Sequence, residues 1–189
     1  MRTSIRLGTT VLGFAVAGAL GLAQIKSLTL REIVDASDGA VYGQIVSSVV
    51  SKKVDAQHGE LYFTTITIEG QRLTDGAGTS VPVTFYGGFL SEEEGCWNSE
   101  APAAEEVQVG NQVVAFYRWT EDMGGGMAAN ALYMAHGGLY RTLEGPSGAM
   151  VLGRGEGYAV DKNVRLTHLD TAVRTLHQEK IERKQEERR

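Results

Sequence analysis

The chain has 189 residues, including 24 glycines and one cysteine, and its formal net charge is −5. This acidic balance argues against binding to nucleic-acid phosphates or anionic membranes, both of which attract clustered Lys and Arg. A single cysteine cannot form an internal disulfide, so a hydrophobic core must stabilise the fold.

The first 23 residues have the three-part pattern of a secretory signal peptide. Two arginines form a basic start, residues 7–22 are uncharged, and small residues allow cleavage after Ala23 or after Ala19. The uncharged stretch is rich in Gly, Ala and Thr and is only marginally long enough to span a bilayer. We therefore expect export to the periplasm or the extracellular space, with no stable membrane anchor after cleavage. The chain from Gln24 onward would carry 16 Lys and Arg against 23 Asp and Glu, a net charge of −7.

A short helix is predicted in the stretch LTLREIVDAS, residues 28–37. Ser27 is a candidate N-cap, and Asp38-Gly39 is typical of a turn after the helix. Four apolar side chains fall on one face of this helix, namely Leu28, Leu30, Ile33 and Val34.

Glycine-rich turns then separate a series of predicted strands. The first covers residues 40–54, and the second covers residues 60–73, where side chains alternate with period two. The third covers residues 79–86 and contains Pro82, which favours an edge strand or a strand start. The side chains that share the apolar faces of the second and third strands are Tyr62, Thr64, Ile66, Ile68, Val81, Val83 and Phe85.

Further strands are predicted in the second half of the chain. Residues 111–120 are apolar on both faces, which predicts a central strand. Residues 130–143 predict a strand that is interrupted at Gly137-Gly138 by a bulge or a bend. Residues 149–160 complete the β-rich part.

The composition changes after Asp170, which is a candidate helix N-cap. The rest of the chain contains no Gly or Pro and is rich in helix formers and charged residues. We expect Glu179 and Arg183 to pair at i,i+4. The few apolar residues beyond Gln178 predict a solvated helix that frays into a charged tail.

Together these elements predict a mainly β fold. The predicted architecture is a small five- to six-stranded OB-like barrel, related in type to oligonucleotide- and oligosaccharide-binding barrels, with a short N-terminal helix and a C-terminal helix. A β-sandwich is the alternative. The predicted division is a signal peptide at residues 1–23, a barrel domain at residues 24–169 and a charged helix or tail at residues 170–189.

Several segments resemble, in order, an uncharacterised group of exported bacterial proteins. LTLREIVDASDGAVYGQIVSS is similar to the opening of that group, where a short L-x-E-L-V-x-x-S-D helix leads into a V-x-G-x-V strand. TTITIEGQRLTDGAG, VTFYGGF, VQVGNQVVAFYRW and MAHGGLYRT resemble its later strands, although Asp75-Gly76 replaces the usual Lys-Gly turn. The resemblance covers residues 28–143. It implies an OB-like barrel of unknown activity whose relatives often accompany secreted metalloproteases, and it implies no catalytic residues.

Residues 87–111 have no sustained period and predict a long loop. They contain Cys96 beside Trp97, and six glutamates without any Lys or Arg. The spacing of the glutamates matches no calcium-binding loop, which favours a solvated acidic loop. Long loops on a rigid base are often functional, so we expect any protein partner to bind here. Trp97 is either an exposed contact residue or a side chain tucked over the barrel end. The candidate ligand-binding residues are Trp97, Glu92, Glu93, Glu94 and His136.

The sequence predicts no metal site, no cofactor and no catalytic residues. The four histidines lack metal-ligand spacing, and GRGEG at residues 153–157 is not followed by the helix that a phosphate-binding loop needs. Glutamates beside Cys96 disfavour the thiolate that a cysteine nucleophile requires. The leading hypothesis is an exported, non-catalytic binding or interaction module of unknown ligand. The alternatives are a regulator or inhibitor of a secreted protease, and a hydrolase whose site forms only in the fold.

Overall fold

The computed structural model describes residues 28–189, so the predicted signal peptide lies outside the described residues. The described elements, in chain order, are α1 (Leu30–Ala36), β1 (Gly39–Asp55), β2 (Gly59–Arg72), β3 (Gly78–Tyr86), β4 (Gly88–Phe89), β5 (Gly95–Cys96), β6 (Gln112–Thr120), β7 (Ala129–Leu132), a 3₁₀ helix (Ala135–Gly138), β8 (Leu139–Leu143), β9 (Met150–Val151), β10 (Val164–Arg165) and α2 (Leu166–Glu186).

Five of these strands close into a barrel. β1 pairs antiparallel with β2 on one side and with β6 on the other, β2 pairs with β3, and β6 pairs with β7. A parallel contact between β3 and β7, where Thr84 lies opposite Ala131, completes the ring. The closed five-stranded barrel confirms the predicted OB-like fold, and the β-sandwich alternative is wrong.

The predicted alternation of side chains along β2 and β3 places their apolar residues in the barrel interior. Ile66 pairs with Val83 and Ile68 with Val81, and all four side chains are buried. Successive side chains of a strand point to opposite faces, so period-two apolar residues fill one side of the sheet. β1 and β6 complete this interior core with buried side chains such as Ile45.

A second core lies outside the barrel, between the sheet and the two helices. β6 supplies side chains to both cores, since Val113 and Ala115 face the interior while Val114 and Phe116 face the helices. The ring of Phe116 contacts Tyr140 edge-on, with ring centroids 6.3 Å apart. This arrangement explains why β6 is apolar on both faces, as expected for a central strand.

The helix boundaries differ from the sequence prediction. Thr29, not Ser27, caps α1: the N–H of Glu32 donates to the Thr29 hydroxyl, and the Glu32 carboxylate accepts from the Thr29 N–H. α2 begins at Leu166, so Asp170 lies inside the helix, where its carboxylate accepts hydrogen bonds from Arg174 at 3.1 Å. A start at Leu166 is favoured by tertiary contacts, because the N–H of Leu166 donates to the carbonyl of Ala149.

The predicted Glu179–Arg183 pair does not form, because both side chains face α1 instead. Glu179 pairs with Arg31 at 2.6 Å, and Arg183 pairs with Asp35 at 2.5 Å. α2 is therefore held against α1 along its second half, and it remains helical to Glu186. The predicted fraying is wrong for this stretch, although residues 181–189 are exposed to solvent as predicted.

The break that was predicted near Gly137-Gly138 is a 3₁₀ turn between β7 and β8. Two non-glycine residues with positive φ stand at its start, namely the N-cap Met134 at 59° and the first helical residue Ala135 at 50°. Residues 149–160 contain only the two-residue strand β9 and are otherwise irregular. Among residues 28–189, neither helix is both long enough and apolar enough to cross a membrane.

Candidate functional site

The long segment between β3 and β6 folds back on itself. Within it, β4 and β5 form a small hairpin in which Gly88 lies opposite Cys96 and Phe89 opposite Gly95. The hydroxyl of Ser91 shapes the hairpin tip by accepting hydrogen bonds from the N–H groups of Glu93 and Glu94, at 3.3 and 3.1 Å. The predicted loop therefore contains a short ordered sheet, which its aperiodic sequence did not reveal.

Side-chain hydrogen bonds fasten this segment to the barrel at its start. The Thr64 hydroxyl donates to the carbonyl of Gly87 at 2.6 Å, and the Asn98 side-chain amide donates to the carbonyl of Tyr86 at 3.1 Å. Because Thr64 belongs to β2 and Tyr86 to β3, the hairpin of β4 and β5 is held against two barrel strands.

The end of the segment is anchored as firmly. The Arg154 guanidinium bonds to the Glu106 carboxylate at 2.5 Å and to the carbonyl of Leu139 at 2.9 Å. Val107 is buried and belongs to the interior core, and Ala101 packs against that core. The segment is thus built into the fold, which makes its surface a preformed one.

A groove with a volume of about 790 Å³ lies between this segment and the mouth of the barrel. One wall comes from inward-facing side chains of β1, β2 and β3, namely Ser48, Val50, Thr64 and Phe85. The opposite wall comes from residues 88–108 and contains Phe89, Trp97, Pro102, Val107 and a run of small residues. Ligand pockets commonly measure about 300–1,000 Å³ and are common in the mouths of β-barrels. We call this cavity the mouth groove.

Trp97 stands at the mouth groove with 75% of its surface exposed. The neighbouring side chains of Phe89 and Leu90 are 54% and 47% exposed. The structure therefore places Trp97 as an exposed aromatic residue, rather than one tucked over the barrel end. Exposed large apolar side chains beside a cavity are a typical feature of an interaction site, and Trp97 and Phe89 both line the mouth groove.

Glu92, Glu93 and Glu94 lie at the tip of the β4–β5 hairpin, not inside the mouth groove. Glu94 pairs with Lys52 at 2.9 Å, and Lys52 also pairs with Glu60 at 2.7 Å. The hydrogen bond that Lys52 donates to Glu60, followed by the one that it donates to Glu94, raises the pKa of Lys52 above its ordinary value. Within residues 28–189, no group of three or more His, Cys, Asp and Glu side chains is arranged to hold a metal ion.

His136 does not line the mouth groove; it joins two neighbouring segments. Its Nδ1 lies 3.0 Å from the carbonyl oxygen of Glu100, and its Nε2 lies 2.9 Å from the hydroxyl of Tyr158. A carbonyl oxygen only accepts, so Nδ1 carries the hydrogen, and in the neutral ring Nε2 accepts from Tyr158. Both ring nitrogens are thus engaged at the base of the segment, and His136 lines a separate small cavity of about 30 Å³ beside Tyr158. Its role in ligand binding stays a prediction.

Sequence reasoning missed part of the mouth groove. It assigned no role to Phe89 or to the wall that β1, β2 and β3 form. The signal that could have indicated this wall is the unusual length of the first two predicted strands, which is typical of a hairpin that extends beyond the barrel. Cys96 also lines the mouth groove as a free, exposed thiol, and its Sγ donates to the carbonyl of Trp97 at 3.5 Å.

The fold and the site together define a small OB-like barrel whose mouth is partly covered by an anchored acidic segment. Comparisons of the chain with protein-family models, with curated proteins and with solved structures found no match.

Proposed function

We propose that this protein is an exported, non-catalytic binding module whose ligand occupies the mouth groove. The observation that carries the proposal is a preformed, mainly apolar groove of about 790 Å³ beside an exposed tryptophan. Burial of an exposed aromatic side chain such as Phe contributes roughly 1.5–3 kcal/mol. A ligand that covers Trp97 and Phe89 would therefore gain substantial free energy without a rearrangement of the fold.

The neighbouring chemistry agrees with binding rather than hydrolysis. The thiol of Cys96 donates to a backbone carbonyl, and both ring nitrogens of His136 are engaged by Glu100 and Tyr158. The hydrogen bonds of Cys96 and His136 therefore stabilise neighbouring parts of the fold. A regulator or inhibitor of a secreted protease would be one special case of such a binding module.

The binding test uses Nile red, a neutral apolar dye whose emission increases in apolar surroundings. We expect the full chain to bind the dye, and Trp97→Ala to weaken binding by about 1–2 kcal/mol because a central aromatic contact is lost. The matched control is Trp119→Phe, since Trp119 is 54% exposed but does not line the mouth groove. A second variant, Ala104→Trp, fills the groove from an exposed position and should also weaken binding.

The native thiol provides an independent readout. Because Cys96 is the only cysteine of the chain and lines the mouth groove, bound dye should slow its reaction with a thiol reagent. The proposal would be wrong if the dye did not bind, if Ala104→Trp bound it as well as wild type, or if bound dye left Cys96 reactivity unchanged.

Export is tested separately. The basic start and the cleavage site predict that material recovered outside the cytoplasm begins at Gln24. N-terminal sequencing of that material checks the prediction, and an intact residue 1 would contradict it.

A further inference from the structure

The segment that forms one wall of the mouth groove carries an uncompensated negative charge. Residues 88–111 contain six glutamates and no Lys, Arg or His. Two of these carboxylates form ion pairs, Glu94 with Lys52 and Glu106 with Arg154. The other four are exposed and make no side-chain hydrogen bond or ion pair within residues 28–189, namely Glu92, Glu93, Glu100 and Glu105.

This negative charge favours some ligands of an apolar groove over others. Glu105 lines the mouth groove, and the other unpaired glutamates belong to the segment that forms its wall. The Debye length at physiological ionic strength is about 8 Å, so carboxylates within that range act on a ligand in the groove. Fatty acids, phosphorylated ligands and nucleic acids carry the same sign and are disfavoured. A ligand with positive charge next to its apolar part is favoured, because its charges lie near water while the apolar part is buried.

The shape of the walls favours a polypeptide among such ligands. The wall opposite the barrel contains three alanines and Pro102 at positions 101–104, so the backbone of this wall lies close to an occupant. In an extended peptide, side chains follow one another every ~3.3 Å and alternate in direction. One apolar side chain can therefore enter between Val50 and Trp97 while its neighbours point toward the glutamates.

We propose that the occupant of the mouth groove is an extended segment of a partner protein in which an apolar anchor is flanked by Lys or Arg. This inference rests on the proposed function, since it specifies the ligand of the same groove. Its basis is charge complementarity between the glutamates of the wall segment, of which Glu105 lines the groove, and the flanking cations, together with the apolar walls that receive the anchor.

The test measures fluorescence anisotropy with three labelled seven-residue peptides. The first alternates four Lys with Leu, Phe and Leu, so that Phe is central and a Lys lies on each side of it. In the second, Glu replaces every Lys, and in the third, Ser replaces the three apolar residues. We expect the basic apolar peptide to bind at least about tenfold more tightly than either control at low salt, with the difference shrinking as salt rises.

A charge variant locates the effect on the protein. Glu92→Gln, Glu93→Gln and Glu105→Gln combined should remove most of the preference for the basic peptide over the acidic one, while circular dichroism shows that the variant is folded. The matched control changes the same number of charges at exposed positions outside the groove. It combines Glu156→Gln, Glu186→Gln and Glu187→Gln and should retain the preference for the basic peptide over the acidic one.

The outcomes separate this inference from the proposed function. If Nile red binds in a Trp97-dependent way but the basic and acidic peptides bind equally, the inference is overturned and the proposed function stands. If neither Nile red nor any peptide binds, both fail. The inference is also overturned if dodecyltrimethylammonium binds with the same glutamate dependence while the peptide does not. A dimer of the chain that is lost in Trp97→Ala would overturn it too, since a second copy would then be the occupant.

Discussion

At the residue scale, the carboxylate of Asp55 joins two neighbouring loops. It accepts hydrogen bonds from the N–H groups of Gln57 and His58, each at 2.8 Å, and from the N–H of Gly125 at 3.1 Å. The turn between β1 and β2 is thereby tied to the connection between β6 and β7. These hydrogen bonds, with that from Gln57 the largest contribution, lower the pKa of Asp55 from 3.8 to about 2.

This depressed pKa predicts a defined acid dependence. The contribution of Asp55 to stability is present above pH 3.8, the ordinary pKa, and is lost as the pH falls toward the folded-state value of about 2. Urea unfolding of wild type and Asp55→Asn should therefore differ clearly at pH 7 and much less near pH 2. The control is Asp161→Asn, an exposed carboxylate whose side chain has no hydrogen bond in the described part of the chain. A difference that stayed constant over this pH range would contradict the assignment.

Gly88 shows how one residue shapes the floor of the mouth groove. Its φ is +129°, and a Cβ there would lie 2.3 Å from the hydroxyl oxygen of Thr64. We expect Gly88→Ala to lower the free energy of unfolding by about 1–3 kcal/mol, from backbone strain and displacement of Thr64. Gly110 is the control, because it has a φ of +100° but open space around its Cβ position. Equal losses in the two alanine variants by urea unfolding would show that the contact with Thr64 is unimportant.

At the element scale, α1 depends on α2 for its stability. A helix of seven residues is too short to persist on its own in water. Lys180 of α2 is buried, and its Nζ donates to the carbonyls of Val34 and Ser37, at 3.1 and 2.6 Å, near the C-terminal end of α1. The ammonium group thus satisfies carbonyls that a helix end leaves without intrahelical partners.

Removal of this cation should weaken the helix pair. Lys180→Met removes the ammonium group that donates to the carbonyls of Val34 and Ser37. We therefore expect a loss of about 1–3 kcal/mol in the free energy of unfolding. Lys184→Met is the matched control, since Lys184 is exposed one turn later on the same helix. Chemical denaturation followed by circular dichroism measures both variants. Equal stabilities of the two variants would show that the hydrogen bonds from Lys180 contribute little.

The same helices show which elements the sequence predicts and which it does not. The strands and the buried face of α1 follow from apolar periodicity, and Ile33 and Val34 are buried as expected. The pairing of Glu179 was wrong because the i,i+4 rule describes an isolated helix, whereas Arg31 lies far away in sequence. The start of α2 was wrong because no side chain caps it, so no local residue marks it.

Only half of the candidate site could be predicted in the same way. The aperiodic, acidic segment around Trp97 was recognisable because it departs from the strand pattern. The opposite wall, with Val50 and Phe85, becomes part of the site only when the barrel closes. That His136 lies apart from the mouth groove could not be predicted, because its position in the fold depends on the positive-φ residues Met134 and Ala135, which the sequence does not distinguish from an ordinary strand.

At the scale of the whole molecule, the two cores are joined by shared strands. β1 and β6 contribute side chains to both, so a loss of packing under α2 should be felt throughout the barrel. Leu169 and Val173 are the buried residues by which α2 packs against the outer core. We expect Leu169→Ala to lower the free energy of unfolding of the entire domain by about 2–5 kcal/mol.

A single cooperative transition is the sign of this coupling. Helical circular dichroism and tryptophan emission should change together in urea for Leu169→Ala, as for wild type. Ile181→Ala is the control, because Ile181 lies exposed on the same helix and its loss should be within about 0.5 kcal/mol of zero. Separate transitions for the two probes would show that α2 and the barrel unfold independently.

Phe85 and Val107 belong at once to the wall of the mouth groove and to the interior core. Global unfolding must therefore dismantle the groove and release whatever is bound there. By mass action, an occupant at a hundred times its dissociation constant would stabilise the native state by about 2.7 kcal/mol. A shift in melting temperature can consequently be used to screen peptides and apolar compounds against this protein before any natural ligand is identified.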